Sequence, residues 1–389
     1  MTDPAPQGLA EVLALFRQHA SLTRAEVMAL TGLARATVNQ RLHTLLEHEL
    51  LVPAGSSEST GGRKAERFAF HTTSGWLLVC DTGASGLRAA LCDLDSRIAL
   101  ERTATVDIAA GPRTVLGQVA AEFDELLAAG GTRPVRGIAI SVPGPVEFEA
   151  GRVIAPPIMT GWDGFDIRGE FATRYGCPTV VDNDVNVMAL GEQRSAYPDI
   201  GHLLLVKAGT GIGSGIVSGG RILRGAYGAA GDIGHVPALL AGDSKPPACR
   251  CGNTGCVEAY AGGWALVREL RAHGHELSTV AEVAALLRAG EPPAVGLARR
   301  AGRLLGEAVA TAVSILNPAA VIVAGQLADT NEQLLAGVRE RVYQRSLPLA
   351  TRRLTIERSS LGSRAGMTGL ALQLADTVFA APHIQTLLR

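Results

Sequence analysis

Leu9, Val12, Leu13, Leu15 and Phe16 recur at helical spacing and predict a first amphipathic helix. A second helix is predicted over residues 23–30. Ser21 and Thr23 are its cap candidates, and Glu26, three residues after Thr23, is a capping-box partner. After the short turn Thr31-Gly32-Leu33, a third helix over 34–48 buries Val38, Leu42, Leu45 and Leu46. Residues 50–52 and 67–70 read as short strands, separated by a polar stretch from 55 to 64 that contains Ser-Thr-Gly-Gly-Arg-Lys.

From residue 72 onward the apolar runs alternate between strand and helix periods. Strands are predicted over 76–81, 87–91, 135–142, 179–182, 203–207 and 321–324, the first two forming a hairpin-like opening around Thr82-Gly83-Ala84-Ser85-Gly86. Helical patterns lie between them at 114–129, 167–175, 185–194 and 297–316. Interleaving of this kind predicts an α/β architecture with ligand sites at the carboxyl ends of strands. The pattern alone does not select a particular fold.

Two short helices joined by a glycine-containing turn predict a helix-turn-helix, whose second helix enters the major groove of DNA. Arg35, Thr37, Asn39, Gln40 and Arg41 lie near the start of that helix. Arginine suits guanine edges, and asparagine and glutamine suit adenine. Arg63 and Lys64 sit at the tip of the polar stretch, which makes it a candidate wing for phosphates or the minor groove. Charge does not decide the matter, because residues 1–70 hold seven Lys/Arg and seven Asp/Glu. Glu47 and Glu49 fall late in the third helix, away from its reading end. The alternative is a small helical interaction module.

The whole chain of 389 residues carries a net charge of −1, so no global field points to nucleic acid or an anionic membrane. Its length predicts two or three domains, and 47% hydrophobic residues supply sizeable cores. No apolar run reaches about 18 residues, and the first residues have no basic-then-apolar leader pattern. A soluble cytoplasmic protein with no membrane partner is expected. Cys80, Cys92 and Cys177 stand singly in apolar stretches, as buried reduced thiols do.

The other three cysteines are different. His235, Cys249, Cys251 and Cys256 fall close together, in Gly-Asp-Ile-Gly-His followed by Cys-Arg-Cys-Gly-Asn-Thr-Gly-Cys-Val-Glu. Three thiolates and one imidazole complete a tetrahedral set suited to a structural zinc ion. The alternative is three unrelated thiols in a glycine-rich turn. The Cys-x-Cys-x4-Cys run with a preceding Gly-His resembles the ROK family of sugar kinases and of repressors built on the same domain. The order of Asp81, Pro143-Gly144, Asn183-Asp184, the run from Gly209 to Gly215 and the run from Gly231 to His235 follows that family as well. So do the Ala-Arg-Ala-Thr-Val start of the third helix and the Gly-Gly-Arg wing, which resemble the winged helix of ROK repressors.

The resemblance implies a winged helix-turn-helix over residues 1–71, followed by two actin-like, ribonuclease-H-like lobes around a sugar cleft. The first lobe spans 72–190 and is completed by about 367–389, with a last helix near 367–378 returning to it. The second spans 191–366 and carries the zinc loop. Sugar hydroxyls are assigned to Asn183, Asp184, His235 and Glu258, with Pro143 and Gly144 shaping the floor. His235 would serve both sites, one ring nitrogen on zinc and the other toward the sugar. Asp184 would be the general base in a kinase; otherwise an Asp at this turn simply caps the following helix. Asp232 replaces the family's usual Glu and is shorter by roughly 1.5 Å, so the preferred sugar is open.

Nucleotide chemistry fits less well. Gly209, Thr210, Gly211 and Gly213 belong to a glycine-rich run able to present N–H groups to phosphate, although close strand packing also demands glycines. Asp81 and Gly83 resemble the Asp-x-Gly-Gly-Thr with which ROK kinases open, but Ala84 stands where that motif has its second glycine, and Gly325-Gln326 stands where the family's adenosine-side motif has a glycine pair. The β-carbon of Ala84 would crowd a phosphate and disfavour positive φ. These departures predict a vestigial phosphate site with no catalytic residue. The expectation is a sugar-responsive regulator, more a repressor than an activator, acting as a homodimer or dimer of dimers on a double-stranded operator. The rival is an ATP-dependent sugar kinase with an added N-terminal module.

Overall fold

The computed structural model describes residues 6–56, 65–238 and 245–388. Helix α1 (Pro6–Gln18) buries Leu9, Val12, Leu13 and Phe16. After β1 (Leu22–Thr23), α2 (Arg24–Thr31) starts at the predicted capping box. The Glu26 amide donates to Thr23 Oγ1 at 3.2 Å, and the Thr23 amide donates to Glu26 Oε2 at 2.6 Å. Gly32, at φ 68°, ends the helix in the left-handed region. Helix α3 (Arg35–Glu47) buries Val38, Leu42 and Leu45. Strands β2 (Leu51–Ser56) and β3 (Glu66–Phe70) pair antiparallel, and β1 adds to the other edge of β3.

The first lobe contains β4 (Trp76–Thr82), β5 (Gly86–Cys92), β6 (Ile98–Thr105), α4 (Pro112–Gly130), β7 (Val135–Val142), the small ribbon β8 (Val146–Glu147) and β9 (Arg152–Val153), α5 (Ile167–Tyr175) and β10 (Thr179–Asn183). Its sheet order is β10-β7-β4-β5-β6, with β4, β7 and β10 parallel and β5 antiparallel to both its neighbours. Helix α6 (Asp184–Ala196) then leads to the second lobe, running through the expected boundary at residue 190.

There β11 (His202–Ala208), β12 (Ile212–Ser218) and β13 (Arg221–Ile222) form an antiparallel meander. It is followed by α7 (Val257–Ala261), α8 (Gly263–Ala272), α9 (Val280–Ala289), α10 (Pro292–Leu316), β14 (Ala320–Ala324), α11 (Gln326–Thr330), α12 (Glu332–Arg345), α13 (Pro348–Thr351) and β15 (Thr355–Arg358). The order β13-β12-β11-β14-β15, with β14 and β15 parallel to β11, repeats the connectivity of the first sheet. Two copies of a ribonuclease-H-like sheet facing one another make the two-lobed, actin-like fold.

Helix α14 (Ala365–Val378) returns to the first lobe and packs on α6, β4 and β7. A further helix, α15 (Ala381–Leu387), packs on α1. Through Met367, Leu374, Phe379, Ile384 and Leu387, the hydrophobic core of the N-terminal module runs without a break into that of the first lobe.

Candidate functional site

His235 ends a single 3-10 turn, and Cys256 caps α7. The loop between them brings Cys249 and Cys251 alongside, with the Cys249 amide donating to the Asn253 carbonyl at 2.7 Å. The four ligand atoms lie within 4.8 Å of one another. Cys251 and Cys256 Sγ are 3.7 Å apart, and Cys249 Sγ is 3.6 Å from His235 Nδ1. Tetrahedral zinc with bonds of about 2.3 Å to sulfur and about 2.0 Å to nitrogen requires separations of about 3.8 and 3.5 Å. The two separations observed match that geometry. Burial and then the neighbouring thiols raise the Cys256 pKa to about 12, and a bound cation would offset that cost by stabilising the thiolate.

A cavity of about 1200 Å³ opens between the lobes beside this cluster. Pro143, Gly144, Asn183, Asp184, Asp232, His235 and Glu258 all line it, as do Asp81, Gly83, Gly209, Thr210, Gly211 and Gly213. Asn183 caps α6, its Oδ1 accepting from the Val185 amide at 3.0 Å while its Nδ2 donates to the Gly144 carbonyl at 2.9 Å. One side chain thus ties the floor to the helix start. Glu258 is buried: Oε2 accepts from the Ile212 amide at 2.9 Å, and Oε1 accepts from Trp264 Nε1 at 3.1 Å. Asp232 is exposed on the cleft wall and makes no capping bond. Glu258, two residues after Cys256, and His235 of the cluster thus both stand at the cavity's edge.

Asp184 stands in the first turn of α6, 5% exposed, and accepts from Lys207 Nζ at 2.5 Å. Asp81 ends the apolar part of β4 and accepts from Ser141 Oγ at 2.6 Å. Burial pushes the Asp81 carboxyl above the usual carboxylate range; Lys207 opposes that shift and Asp184 adds to it. Neither Lys207 nor this pairing was anticipated from sequence. The available signal was a lone cation ending the apolar run Leu203-Leu204-Leu205-Val206.

The glycine-rich run divides between a turn and a strand. Only residues 209–211 form a turn, and Gly213 and Gly215 lie inside β12. A β-carbon on Gly215 would stand 2.3 Å from the Val185 carbonyl oxygen, so that glycine is required for α6 to lie on the sheet. Ala84 departs from expectation too: its φ is not positive, so only steric crowding, not backbone strain, separates it from glycine. Gln326 is exposed at the start of α11, on the cleft wall.

On α3, Arg35 and Asn39 are exposed one turn apart, and His43 continues the same face. Thr37 and Gln40 are half-buried. Arg41 is corrected: a β-carbon on Gly8 would lie 2.1 Å from its guanidinium, and its Nη1 is buried, so it packs against α1 instead of facing outward. Arg63 and Lys64 lie outside the described residues. Cys80, Cys92 and Cys177 are buried free thiols, with burial raising Cys177 to about 12. Among the described residues no helix is long and apolar enough to cross a membrane.

The sequence profile of the ROK family matches residues 78–377, and that of the IclR helix-turn-helix domain matches residues 9–54. The xylose repressor of Bacillus subtilis (strain 168) is 25% identical over 362 residues, which cover 92% of this chain and 92% of that protein. A ROK family transcriptional regulator, homologue of the E. coli MLC protein, superposes with a TM-score of 0.81 at 25% identity over 98% of each chain. A ROK family glucokinase from Streptomyces griseus, solved with glucose and AMPPNP, superposes with a TM-score of 0.66 at 27% identity. It covers 77% of this chain and 99% of its own.

Proposed function

We propose, from the premise that this chain belongs to the ROK family, that it is a sugar-responsive, DNA-binding repressor of carbohydrate genes. One observation carries the reading: a capped helix-turn-helix shares a continuous core with the lobe that forms half of a sugar-kinase-like cleft. The helix-turn-helix profile and the full-length likeness to a repressor and a regulator support it.

In this reading, residues 1–71 form the DNA module, with Arg35 and Asn39 at base edges and Arg63 and Lys64 of the wing on phosphates. A sugar or sugar phosphate engages Asn183, Asp184, Glu258, His235 and Asp232 over Pro143 and Gly144. Zinc on His235, Cys249, Cys251 and Cys256 is structural and holds that wall in place. The protein acts in the cytoplasm as a homodimer or dimer of dimers, because lobe closure then changes the spacing of two DNA modules. No catalytic residue is assigned.

The test is genome-wide DNA capture with the full-length protein, followed by operator affinity measured against pentoses, hexoses and N-acetylhexosamines. A recovered operator whose affinity changes with one sugar supports the reading. Sugar-dependent ATP turnover on the order of 1 s⁻¹ or faster, with no operator recovered, overturns it in favour of a sugar kinase.

A further inference from the structure

Asp81 and Asp184 are the two carboxylates on the cleft floor between the strand ends of the first lobe. A phosphoryl-transfer site needs such groups free for two tasks, holding a divalent ion and taking the hydroxyl proton. Here a third group stands against Asp184. Lys207 reaches across from β11 of the second lobe and places Nζ 2.5 Å from Asp184 Oδ2. Around Asp81, Ser141 Oγ donates to Oδ1, and Oδ2 lies where a β-carbon on Gly366 of α14 would come within 2.3 Å.

We infer that the Lys207 ammonium, ion-paired with Asp184 in the cavity that Asp81 also lines, is the resident cation of this cleft, taking the role of a divalent metal and making the cleft a metal-independent receptor. Burial alone would weaken that ammonium, but Asp184 and Asp81 outweigh it and raise the Lys207 pKa above its ordinary value. The charge is therefore retained. A metal–nucleotide does not fit: a second cation would meet a fixed positive charge, and the carboxylate that would serve as base is already engaged. The inference rests on the reading of this cavity as a ligand-sensing cleft, and it assigns a cause for the loss of chemistry that Ala84 and Gln326 alone do not supply.

The experiment is electron paramagnetic resonance of Mn²⁺ added to the full-length, zinc-loaded protein. Manganese prefers oxygen donors and does not compete for the thiolate cluster. With the wild type, the six-line signal of free Mn²⁺ should keep its full amplitude. Lys207→Met and Lys207→Gln remove the charge, and each should bind about one Mn²⁺ per chain. Adding Asp184→Asn to either should weaken that binding at least about tenfold. Lys207→Arg retains a cation and should remain free of Mn²⁺. The inference is overturned if the wild type binds Mn²⁺ in a manner lost with Asp184→Asn. A folded Lys207→Met or Lys207→Gln protein that binds none overturns it equally. DNA plays no part in the readout, so failure here leaves the repressor reading standing, and failure to find an operator leaves the Mn²⁺ result intact.

Discussion

Arg224 lies beyond β13 in the second lobe, yet its Nη2 donates to Asp182 Oδ2 in β10 of the first lobe at 2.5 Å. Asp182 is 1% exposed and Arg224 22%. The carboxylate also accepts from Gln373 Nε2 at 2.7 Å, the Asn183 amide at 2.8 Å and Asn186 Nδ2 at 3.2 Å. The guanidinium stacks 3.8 Å from the centre of the Phe148 ring. Arg224→Met removes the charged donor and the ring contact while preserving most of the stem. Breaking a buried ion pair costs about 3–5 kcal/mol, and three remaining neutral donors place this case near the lower end. Loss of the cation–π contact adds about 1 kcal/mol, partly offset by the new thioether packing. The expected loss of stability is about 3 kcal/mol.

Urea unfolding followed by circular dichroism gives that number, and a double-mutant cycle with Asp182→Asn should assign about 2 kcal/mol of it to the pair. Because the pair bridges the lobes, small-angle scattering of Arg224→Met should also show a larger radius of gyration. A variant within about 0.5 kcal/mol of the wild type, with no coupling to Asp182 and unchanged scattering, would refute the assignment of this contact as a tie between the lobes.

Cys251→Ser should lower the metal content of purified protein, measured by plasma emission, and weaken sugar binding with it, because Glu258 hangs from the same loop; full sugar binding by metal-free protein refutes the link. Asp184→Asn should abolish the sugar-dependent change in operator affinity and leave DNA binding without sugar unchanged in fluorescence anisotropy. Arg35→Ala should relax base preference at one position per half-site by about 1–3 kcal/mol, read from binding to operators varied one base pair at a time. The Glu26 carboxyl is held below its ordinary range, first by the Thr23 amide. Its contribution to stability is therefore present above the ordinary carboxylate pKa and lost as pH falls through the lower folded value. Thr23→Ala removes the cap hydroxyl at a cost of about 1 kcal/mol, seen as a lower melting temperature at neutral pH.

Short-range features were legible in the sequence. The capping box is written within four residues, each N-terminal helix within about a dozen, and the Cys/His set between residues 235 and 256, and the structure brings each together locally. What escaped was long-range or without an apolar signal. Strand β6 is an edge strand with five consecutive exposed residues, so no alternation marks it. Strand β1 is two residues between helices and owes its existence to pairing with β3. The packing role of Gly215 in β12 was not separable in sequence from a phosphate loop, because close helix packing and phosphate approach select the same residue. Lys207 and Arg224 pair with Asp184 and Asp182 across the cleft, separated by 23 and 42 positions, and nothing local announces either.

The route from the cleft to the DNA module is set by the same packing. Helix α6 starts at the cavity-lining residues Asn183 and Asp184, the sugar contacts proposed above, and, at 13 residues, is about 20 Å long. Near its far end Arg194 pairs with Asp376 of α14 at 2.5 Å, and Arg17 of α1 pairs with that same carboxylate at 3.4 Å. Arg17 also lies over the Phe379 ring, which packs edge-on against Phe70 at the end of the wing strand β3. A ligand that draws Asn183 and Asp184 toward the second lobe therefore moves a helix whose other end shares an ion pair with the first helix of the DNA module. Because that module shares its core with the first lobe through α14 and α15, it moves with the lobe, not as a bead on a tether. In the proposed dimer, closure of the cleft in each protomer would become a change in the separation of two recognition helices, which is the quantity an operator with two half-sites reads.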